Sequence, residues 1–145
     1  MTSKALIEYC LKKAGAYLDY PFGPQLAAVR VGKTKEKKGR IFAQFFVLNG
    51  TDVVTFNCDV LSVQFFRGKY PDAVQRAWHV PDAQQNYAFT VAVSSLKDEI
   101  LFDMADCAYN AAVNKLPKYI RNALDVCKED RQKKKQCICT AYVDA

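Results

Sequence analysis

The sequence predicts a single α+β domain with an N-terminal helix, an antiparallel sheet of four or five strands, and C-terminal helices packed on one face of the sheet. Apolar residues recur at helical spacing near both ends of the chain, whereas its middle shows two-residue alternation. An Asn-Gly pair at residues 49–50, a strong hairpin signal, joins two of the alternating runs. Half of the 145 residues are hydrophobic, so the chain can bury one domain-sized core.

The first element is a helix predicted over residues 3–14, with Ser3 as its N-cap and Gly15 at its end. Its apolar residues follow helical spacing: Leu6, Ile7, Cys10, Leu11 and Ala14. The later segment at residues 20–24 (Tyr-Pro-Phe-Gly-Pro) cannot continue a helix, because two prolines and a glycine interrupt it. We expect a rigid turn there, with its aromatic side chains packed under the sheet.

Three strands are predicted to follow as an antiparallel meander over residues 27–31, 40–48 and 52–58. The basic segment 33–39 joins the first two strands and forms the tip of their hairpin. In the third strand the side chains alternate between the two faces of the sheet, with Val54, Phe56 and Cys58 on one face and Val53, Thr55 and Asn57 on the other.

The remaining predicted elements complete the sheet and its helical layer. Asp59 is a good N-cap for the second helix, and Ser95 with Asp98 forms a variant of the capping box at the start of the longest helix. The predicted elements are a helix over 60–67, a short strand near 77–80, a sheet strand over 87–93, a helix from 95 to about 117, and a helix-prone segment over 118–135.

The net charge of +6 comes from 21 Lys and Arg residues against 15 Asp and Glu residues, and it lies in two segments. Residues 33–40 hold five basic residues and one acidic residue, and residues 128–135 hold five basic and two acidic residues. Such patches attract polyanions, although on a solvated hairpin tip and tail the same charge could serve only solubility. The candidate nucleic-acid-binding residues are Lys33, Lys35, Lys37, Lys38, Arg40, Lys133, Lys134 and Lys135.

The six cysteines are expected to be reduced thiols. No apolar run approaches the roughly 20 residues that span a bilayer, and the N-terminal segment lacks the apolar centre of a signal peptide. We therefore expect a cytoplasmic protein without disulfides. The close pair Cys137 and Cys139 has one intervening residue, which is the wrong spacing for the usual zinc half-site, so we expect no metal and no cofactor.

Residues that could carry catalysis are scarce. His79 is the only histidine, and it is the obvious candidate for acid–base chemistry because histidines titrate near neutral pH. It is accompanied by no recognisable nucleophile motif and no glycine-rich phosphate loop, and the aspartates are scattered at turns and caps. We predict no catalytic residue; His79 is a loop histidine bonded to the backbone, a part of a binding pocket or, as a third alternative, the centre of an enzyme site.

Several local motifs stand in a fixed order between residues 3 and 118: Tyr20-Pro21-Phe22-Gly23, Cys58-Asp59, Lys69-Tyr70-Pro71-Asp72, His79 and Leu116-Pro117-Lys118. In this order they resemble the MmcQ/YjbR family of small bacterial proteins. The family shows a stretch similar to Gly-Tyr-His-Met-Asn-Lys where this chain has Ala-Trp-His-Val-Pro-Asp at residues 77–82. The histidine matches, but the asparagine–lysine pair is absent, which weakens any anion site that would use that lysine.

The resemblance implies a fold similar to the double-wing DNA-binding architecture, in which a sheet and its hairpins face nucleic acid. It assigns residues 1–118 to the domain, and residues 119–145 are expected to form a helical extension and tail packed on that domain. The expected function is non-enzymatic DNA binding through phosphate contacts. The alternative is a small-molecule or protein-binding module that uses a cleft near Phe22, Trp78 and His79. The oligomeric state and any preferred DNA sequence are left open.

Overall fold

The structure, a computed structural model, describes residues 2–34, 37–78 and 80–124. The sequence predictions for Lys35, His79, the basic segment 128–135 and the pair Cys137 and Cys139 fall outside the described residues. Within the described residues the chain forms the helices α1 (Ser3–Leu11), α2 (Val60–Lys69) and α3 (Asp98–Asn114), and residues 118–124 are also helical.

One antiparallel sheet runs through the described part of the chain. Its strands are β1 (Ala16–Asp19), β2 (Ala27–Val31), β3 (Arg40–Leu48), β4 (Thr51–Asn57), β5 (Val74–Gln75) and β6 (Ala88–Ala92). Their order across the sheet is β1-β2-β3-β4-β6-β5, and each neighbouring pair is antiparallel. The predicted α+β class is confirmed, with six strands where four or five were expected.

Two short edge strands account for the higher strand count. β1 has four residues and β5 has two, and both lie at the edges of the sheet. Neither contains enough buried residues to show clear alternation, which is why the sequence did not indicate β1. The strand predicted near residues 77–80 occurs earlier, as β5 at Val74–Gln75, and a 3₁₀ helix at Asp82–Tyr87 precedes β6.

The helix caps agree with the sequence at one position and differ at two. Asp59 caps α2 as predicted. At α1 the hydroxyl of Thr2, the residue before the predicted cap, accepts the Ala5 N–H at 3.1 Å. Ser95 does not cap α3, because its hydroxyl donates to the Ala92 carbonyl at 2.7 Å and the helix begins three residues later.

The main core lies between one face of the sheet and the helices. Four phenylalanines with no exposed surface belong to it: Phe42, Phe56, Phe66 and Phe89. Val54, Phe56 and Cys58 lie in this core, as the alternation predicted, whereas Val53 belongs to a smaller cluster. That smaller cluster contains Leu26, Ala28, Phe46 and Val53. The central strands are therefore buried on both faces, and Ile120 and Leu124 pack against the main core from the last described turns.

The aromatic side chains of the turn after β1 do not pack under the sheet, so that prediction was wrong. Tyr20 and Phe22 expose 50% and 65% of their surface. Trp78, which follows β5, is also exposed, with 44% of its surface accessible. Hydrogen bonds within the turn hold it instead. The Gly23 N–H donates to the Tyr20 carbonyl at 3.3 Å, and Gln25 Nε2 donates to the Phe22 carbonyl at 2.9 Å.

Phe22→Ala is expected to change the free energy of unfolding by no more than about 0.5 kcal/mol, because exposed side chains away from special features contribute little. The matched control is Phe66→Ala, which removes a fully buried ring and should cost about 3–5 kcal/mol. Urea denaturation followed by circular dichroism measures both values. A cost for Phe22→Ala close to that of the control would show that this ring does pack against the domain.

The three cysteines among the described residues are buried. Cys10, Cys58 and Cys107 expose at most 1% of their surface and lie in the main core. Cys10 and Cys58 are thiols, whereas Cys107 is disulfide-bonded, so the prediction that no cysteine forms a disulfide was wrong. Disulfides persist in oxidising compartments and are rare in the cytosol. The bond at Cys107 therefore weighs against a cytoplasmic location.

A buried ion pair joins the end of α1 to α3. Lys13 Nζ contacts Asp106 Oδ1, and the two residues expose only 9% and 3% of their surface. The Tyr9 hydroxyl donates to the same carboxylate oxygen at 2.8 Å, and the Lys13 ammonium lies 5.0 Å from the Tyr9 ring centroid and 5.3 Å from that of Tyr109. The Tyr109 hydroxyl donates to the Ala14 carbonyl at 2.6 Å. This cluster fixes α1 against α3.

Candidate functional site

The β2–β3 hairpin ends in a tip, residues 32–40, that carries the first basic segment of the sequence; we call it the basic hairpin tip. Its described cations are Lys33, Lys37, Lys38 and Arg40, and all four are exposed. The structure therefore brings together four of the predicted nucleic-acid contacts on one connection. The other candidates, Lys35, Lys133, Lys134 and Lys135, lie outside the described residues.

Hydrogen bonds from neighbouring strands brace the basic hairpin tip. The Gly39 N–H donates to the Tyr17 hydroxyl at 2.6 Å, and Arg30 Nη1 donates to the Gly39 carbonyl at 2.8 Å. Across the tip, the Thr34 N–H donates to the Lys37 carbonyl and the Lys37 N–H donates to the Thr34 hydroxyl, both at 3.0 Å. These contacts restrict the backbone, so less conformational entropy is lost when the tip binds a partner.

Two glycines allow the tip to approach its surroundings closely. A Cβ atom on Gly39 would lie 2.2 Å from the Val31 carbonyl oxygen, so a larger residue cannot fit without moving the backbone. Gly32 has a φ of +88°, and a Cβ atom there would lie 2.6 Å from a methyl group of Leu116. Because Leu116 lies just after α3, this contact places the end of α3, with Lys115, beside the base of the tip.

Asp19 is an acidic residue that contacts the basic hairpin tip. Its Oδ2 atom accepts a hydrogen bond from Arg30 Nε at 2.8 Å and lies 3.6 Å from Lys38 Nζ. Loss of solvent contact acts to raise the pKa of the Asp19 carboxyl, but hydrogen bonds from Arg30 and the Tyr20 N–H, with the charges of Lys38 and Arg30, hold it below its ordinary value. Asp19 is therefore ionised at neutral pH and offsets part of the positive charge of the tip.

A cavity of about 230 Å³ opens at the same end of the sheet, and we call it the Gln44 cavity. Its polar lining residues are Arg40, Gln44, Asn57, Gln84, Tyr87 and Lys115. Arg40 thus belongs both to the basic hairpin tip and to the Gln44 cavity. The described residues that line the cavity include no carboxylate, so its charged groups are cations.

One wall of the Gln44 cavity comes from the segment between β5 and β6, and a glutamine holds that segment together. Gln85 Oε1 accepts the Ala77 N–H at 2.9 Å, and Gln85 Nε2 donates to the carbonyls of Ala77 at 2.8 Å and Val80 at 3.1 Å. Arg67 Nη2 donates to the carbonyls of Gln85 at 2.8 Å and Ala88 at 3.0 Å. The wall is therefore formed by contacts within the chain and needs no ligand to hold it.

Phe22 and Trp78, two members of the predicted pocket, lie near opposite edges of the sheet. Phe22 lies in the turn between β1 and β2 at one edge of the sheet, whereas Trp78 follows β5 at the opposite edge. Neighbouring strands are about 4.8 Å apart, and five such spacings separate β1 from β5, so the two edge strands are about 24 Å apart. The Trp78 N–H donates to the Thr90 hydroxyl at 2.9 Å, which holds that residue beside β6. His79, the third predicted member, lies outside the described residues.

Sequence reasoning did not identify Asp19, Gln44 or Lys115 as parts of this region. Asp19 and Lys115 come from distant parts of the chain and reach the tip only through strand pairing and helix packing. Gln44 did carry a signal, since it is a polar residue within the apolar run of β3 and remains buried there. A buried amide in a central strand often marks a hydrogen-bonding site.

The described part of the chain contains no group of three His, Cys, Asp or Glu side chains placed to hold a metal ion. Within residues 2–34, 37–78 and 80–124, no helix combines the length and the apolar character needed to cross a membrane. Both statements leave aside His79 and three of the six cysteines, which fall outside those ranges.

The fold is similar to solved structures, whereas the sequence matches no family model and no curated protein. Protein DR2400 of Deinococcus radiodurans, which contains a DUF419 domain, has a TM-score of 0.73 at 18% identity, covering 86% of this chain and 88% of that one. A protein from Pseudomonas syringae has a TM-score of 0.62 at 18% identity, covering 77% of this chain and 99% of that one. At this identity the likeness shows a common fold alone.

Proposed function

We propose that the protein is a non-enzymatic module that binds DNA, with the basic hairpin tip as its contact surface. One observation carries the proposal: Lys33, Lys37, Lys38 and Arg40 are exposed on a tip whose described residues are held by hydrogen bonds at Gly39 and between Thr34 and Lys37. Beside the base of the tip, residues 115–118 supply two further exposed lysines. Together these residues give one end of the sheet an excess of positive charge.

The chemistry of the tip favours phosphate oxygens over base edges. A lysine ammonium is a compact charge on a flexible side chain, and each phosphate contact that it makes releases condensed counterions from DNA. A two-stranded β-ribbon can also enter the major groove, which lets the tip follow the backbone on either side. Phosphate contacts position a protein without reading bases. We therefore expect binding that depends steeply on salt and weakly on DNA sequence.

The motif order in the sequence supports the same proposal. Its resemblance to the MmcQ/YjbR family carries an expectation of DNA binding, and membership of that family is part of what we propose. A cytoplasmic location is also proposed, because a DNA-binding protein would meet its partner there. The disulfide at Cys107 is the observation that opposes this location, since the cytosol keeps most thiols reduced.

Replacing Lys33, Lys37 and Lys38 by glutamine is expected to flatten the dependence of log K on log salt by about 0.9 for each lysine that binds a phosphate in the parent. The measurement is a fluorescence-anisotropy titration of a labelled duplex at several salt concentrations. A matched control replaces Lys4, Lys69 and Lys97, which are exposed and lie outside the tip, so the net charge changes equally. Equal slopes for the two triple variants would place the DNA surface elsewhere, and no binding by the parent at low salt would exclude DNA as the partner.

Asp19→Asn is expected to act in the opposite direction and strengthen DNA binding. The substitution removes the negative charge that lies 3.6 Å from Lys38 Nζ, while the amide oxygen can still accept the hydrogen bond from Arg30. The same titration should show tighter binding at low salt, with the advantage fading as salt screens the charges. The control is Asp82→Asn, which changes the net charge equally at an exposed position on the 3₁₀ helix. Equal effects of the two variants would show that only net charge matters.

A further inference from the structure

We propose that the Gln44 cavity is a binding site for a small organic anion, a phosphate monoester or a carboxylate, that also carries hydroxyl or amino groups. The cavity lies between β3, the segment before β6 and the end of α3. A DNA duplex cannot enter a space of about 230 Å³, so the ligand of this cavity is a separate molecule, although Arg40 and Lys115 also belong to the proposed DNA surface. The proposal does not rest on DNA binding.

The charge of the ligand follows from two cations that line the cavity. Arg40 and Lys115 both contribute to its walls, and no ion pair joins either of them to a described carboxylate. Lys115 Nζ lies 5.1 Å from the centroid of the Tyr87 ring, which holds the ammonium at the cavity. A guanidinium can bind a carboxylate or a phosphate with two parallel hydrogen bonds. The cavity thus presents two positive charges that a single small anion can satisfy.

The side chain of Gln44 indicates which hydrogen-bonding groups the ligand should carry. This residue exposes only 7% of its surface, and its Oε1 atom is buried with no hydrogen-bond partner among the described residues. Buried polar atoms without a partner are rare in native proteins and costly. The terminal torsion of a glutamine is broad and roughly two-fold, so either end of the amide can turn toward the cavity. A ligand hydroxyl or amino group is the donor that the oxygen lacks.

A second side-chain amide, that of Asn57, lines the cavity together with Gln44. Asn57 Nδ2 donates to the Ile41 carbonyl at 3.0 Å, which fixes the amide and leaves its oxygen as an acceptor. Asn57 and Gln44 line the same cavity. The cavity therefore offers two hydrogen-bond acceptors and two cations. This combination matches a molecule that has an anionic group at one end and hydroxyl or amino groups at the other.

The size and rigidity of the cavity limit the ligand to a small metabolite. Its volume of about 230 Å³ lies below the range of roughly 300–1,000 Å³ that is typical of sites for drug-sized ligands. The Cys58 N–H donates to the Tyr87 carbonyl at 2.7 Å, and Gln85 holds the adjoining segment. A preformed site of this kind loses little entropy on binding.

The test measures the binding of three compounds that share one carbon skeleton: ribose phosphate, ribonate and uncharged ribose. Isothermal titration calorimetry should show saturable one-to-one binding of at least one of the two anions and none of ribose. Preference for ribose phosphate or for ribonate identifies the ligand as a phosphate monoester or a carboxylate. Inorganic phosphate, which has no carbon skeleton, should bind more weakly than the preferred anion. Failure of both anions to bind would overturn the proposal.

Two variants assign the binding to the cavity. Lys115→Gln removes an exposed charge and should lower the affinity for the preferred anion at least tenfold. Lys97→Gln, at the other end of α3, should leave that affinity unchanged. Gln44→Leu should also abolish binding, yet raise the melting temperature, because it replaces an unsatisfied buried amide with an apolar group. A purely structural glutamine would lower the melting temperature instead. Affinity that is insensitive to Lys115→Gln would place the anion outside this cavity.

Discussion

Asp106→Asn is expected to lower the free energy of unfolding by about 3–5 kcal/mol, because it removes the charge of one partner from a buried ion pair. Lys13 and Asp106 expose only 9% and 3% of their surface, so water cannot replace the missing partner. The Tyr9 hydroxyl donates to Asp106 Oδ1 at 2.8 Å, and the amide oxygen of the variant can still accept that bond, so the expected loss comes from the ion pair. Urea denaturation followed by circular dichroism gives the change directly.

The control is the double variant Lys13→Met with Asp106→Asn. Removing both charges leaves neither member of the pair as a buried charge, and replacing a buried ion pair by neutral groups is often close to neutral in stability. The double variant should therefore recover much of the stability that Asp106→Asn loses. If Asp106→Asn alone costs less than about 1 kcal/mol, the pair is effectively solvated and does not fix α1 on α3.

Gly39→Ala is expected to cost about 1–3 kcal/mol and to weaken DNA binding at the same time. The added Cβ atom would lie 2.2 Å from the Val31 carbonyl oxygen, and that contact is backbone, so the hairpin must shift to relieve it. The shift would disturb the hydrogen bonds that Gly39 makes with Tyr17 and Arg30. Without this brace the tip loses more conformational entropy on binding.

Gly68→Ala is the matched control for this substitution. Gly68 lies in α2, where a Cβ atom would meet nothing within 4 Å, so alanine should be neutral or stabilising by up to about 1 kcal/mol. Its DNA affinity should equal that of the parent. A Gly39→Ala variant as stable as the parent would show that the β2–β3 hairpin can open freely at its tip.

The centre of the sheet could be predicted from sequence, because the burial of each central strand appears in the sequence as a pattern of apolar residues. In β4, the alternation of Val53 and Val54 between two clusters follows the two-residue period of a strand. The edges could not be predicted in this way. β1 and β5 are short, and edge strands show little of the burial that produces a pattern.

The turn after β1 shows why composition alone gave a wrong prediction of buried aromatic side chains. Tyr20 and Phe22 are aromatic and lie next to Pro21, which suggested packing, but the structure leaves both exposed. Leu26, with 4% of its surface exposed, is the residue near the turn that enters a core cluster. Local hydrogen bonds can fix a turn without any buried aromatic side chain, and nothing in the order of the residues distinguishes the two cases.

The candidate site likewise combines residues that could be predicted from the sequence with residues that could not. The lysines of the basic hairpin tip are close together in sequence, so their clustering could be predicted without a structure. Asp19 contacts Lys38 through the pairing of β1 with β2, and Lys115 reaches the Gln44 cavity through the packing of α3. Such contacts depend on tertiary structure, and a single sequence does not record them.

The most direct test of DNA binding by the basic hairpin tip is an amide-shift titration by nuclear magnetic resonance, with ¹⁵N-labelled protein and a short duplex at low salt. Amide shifts should concentrate at residues 33–34, 37–40, 115–116 and 118, and they should fade as salt is added. Residues around Lys4 and Lys97, which are exposed cations outside the tip, should not move. Shifts centred on those residues, or no shifts at any duplex concentration, would contradict the assignment of the tip as a DNA-binding surface.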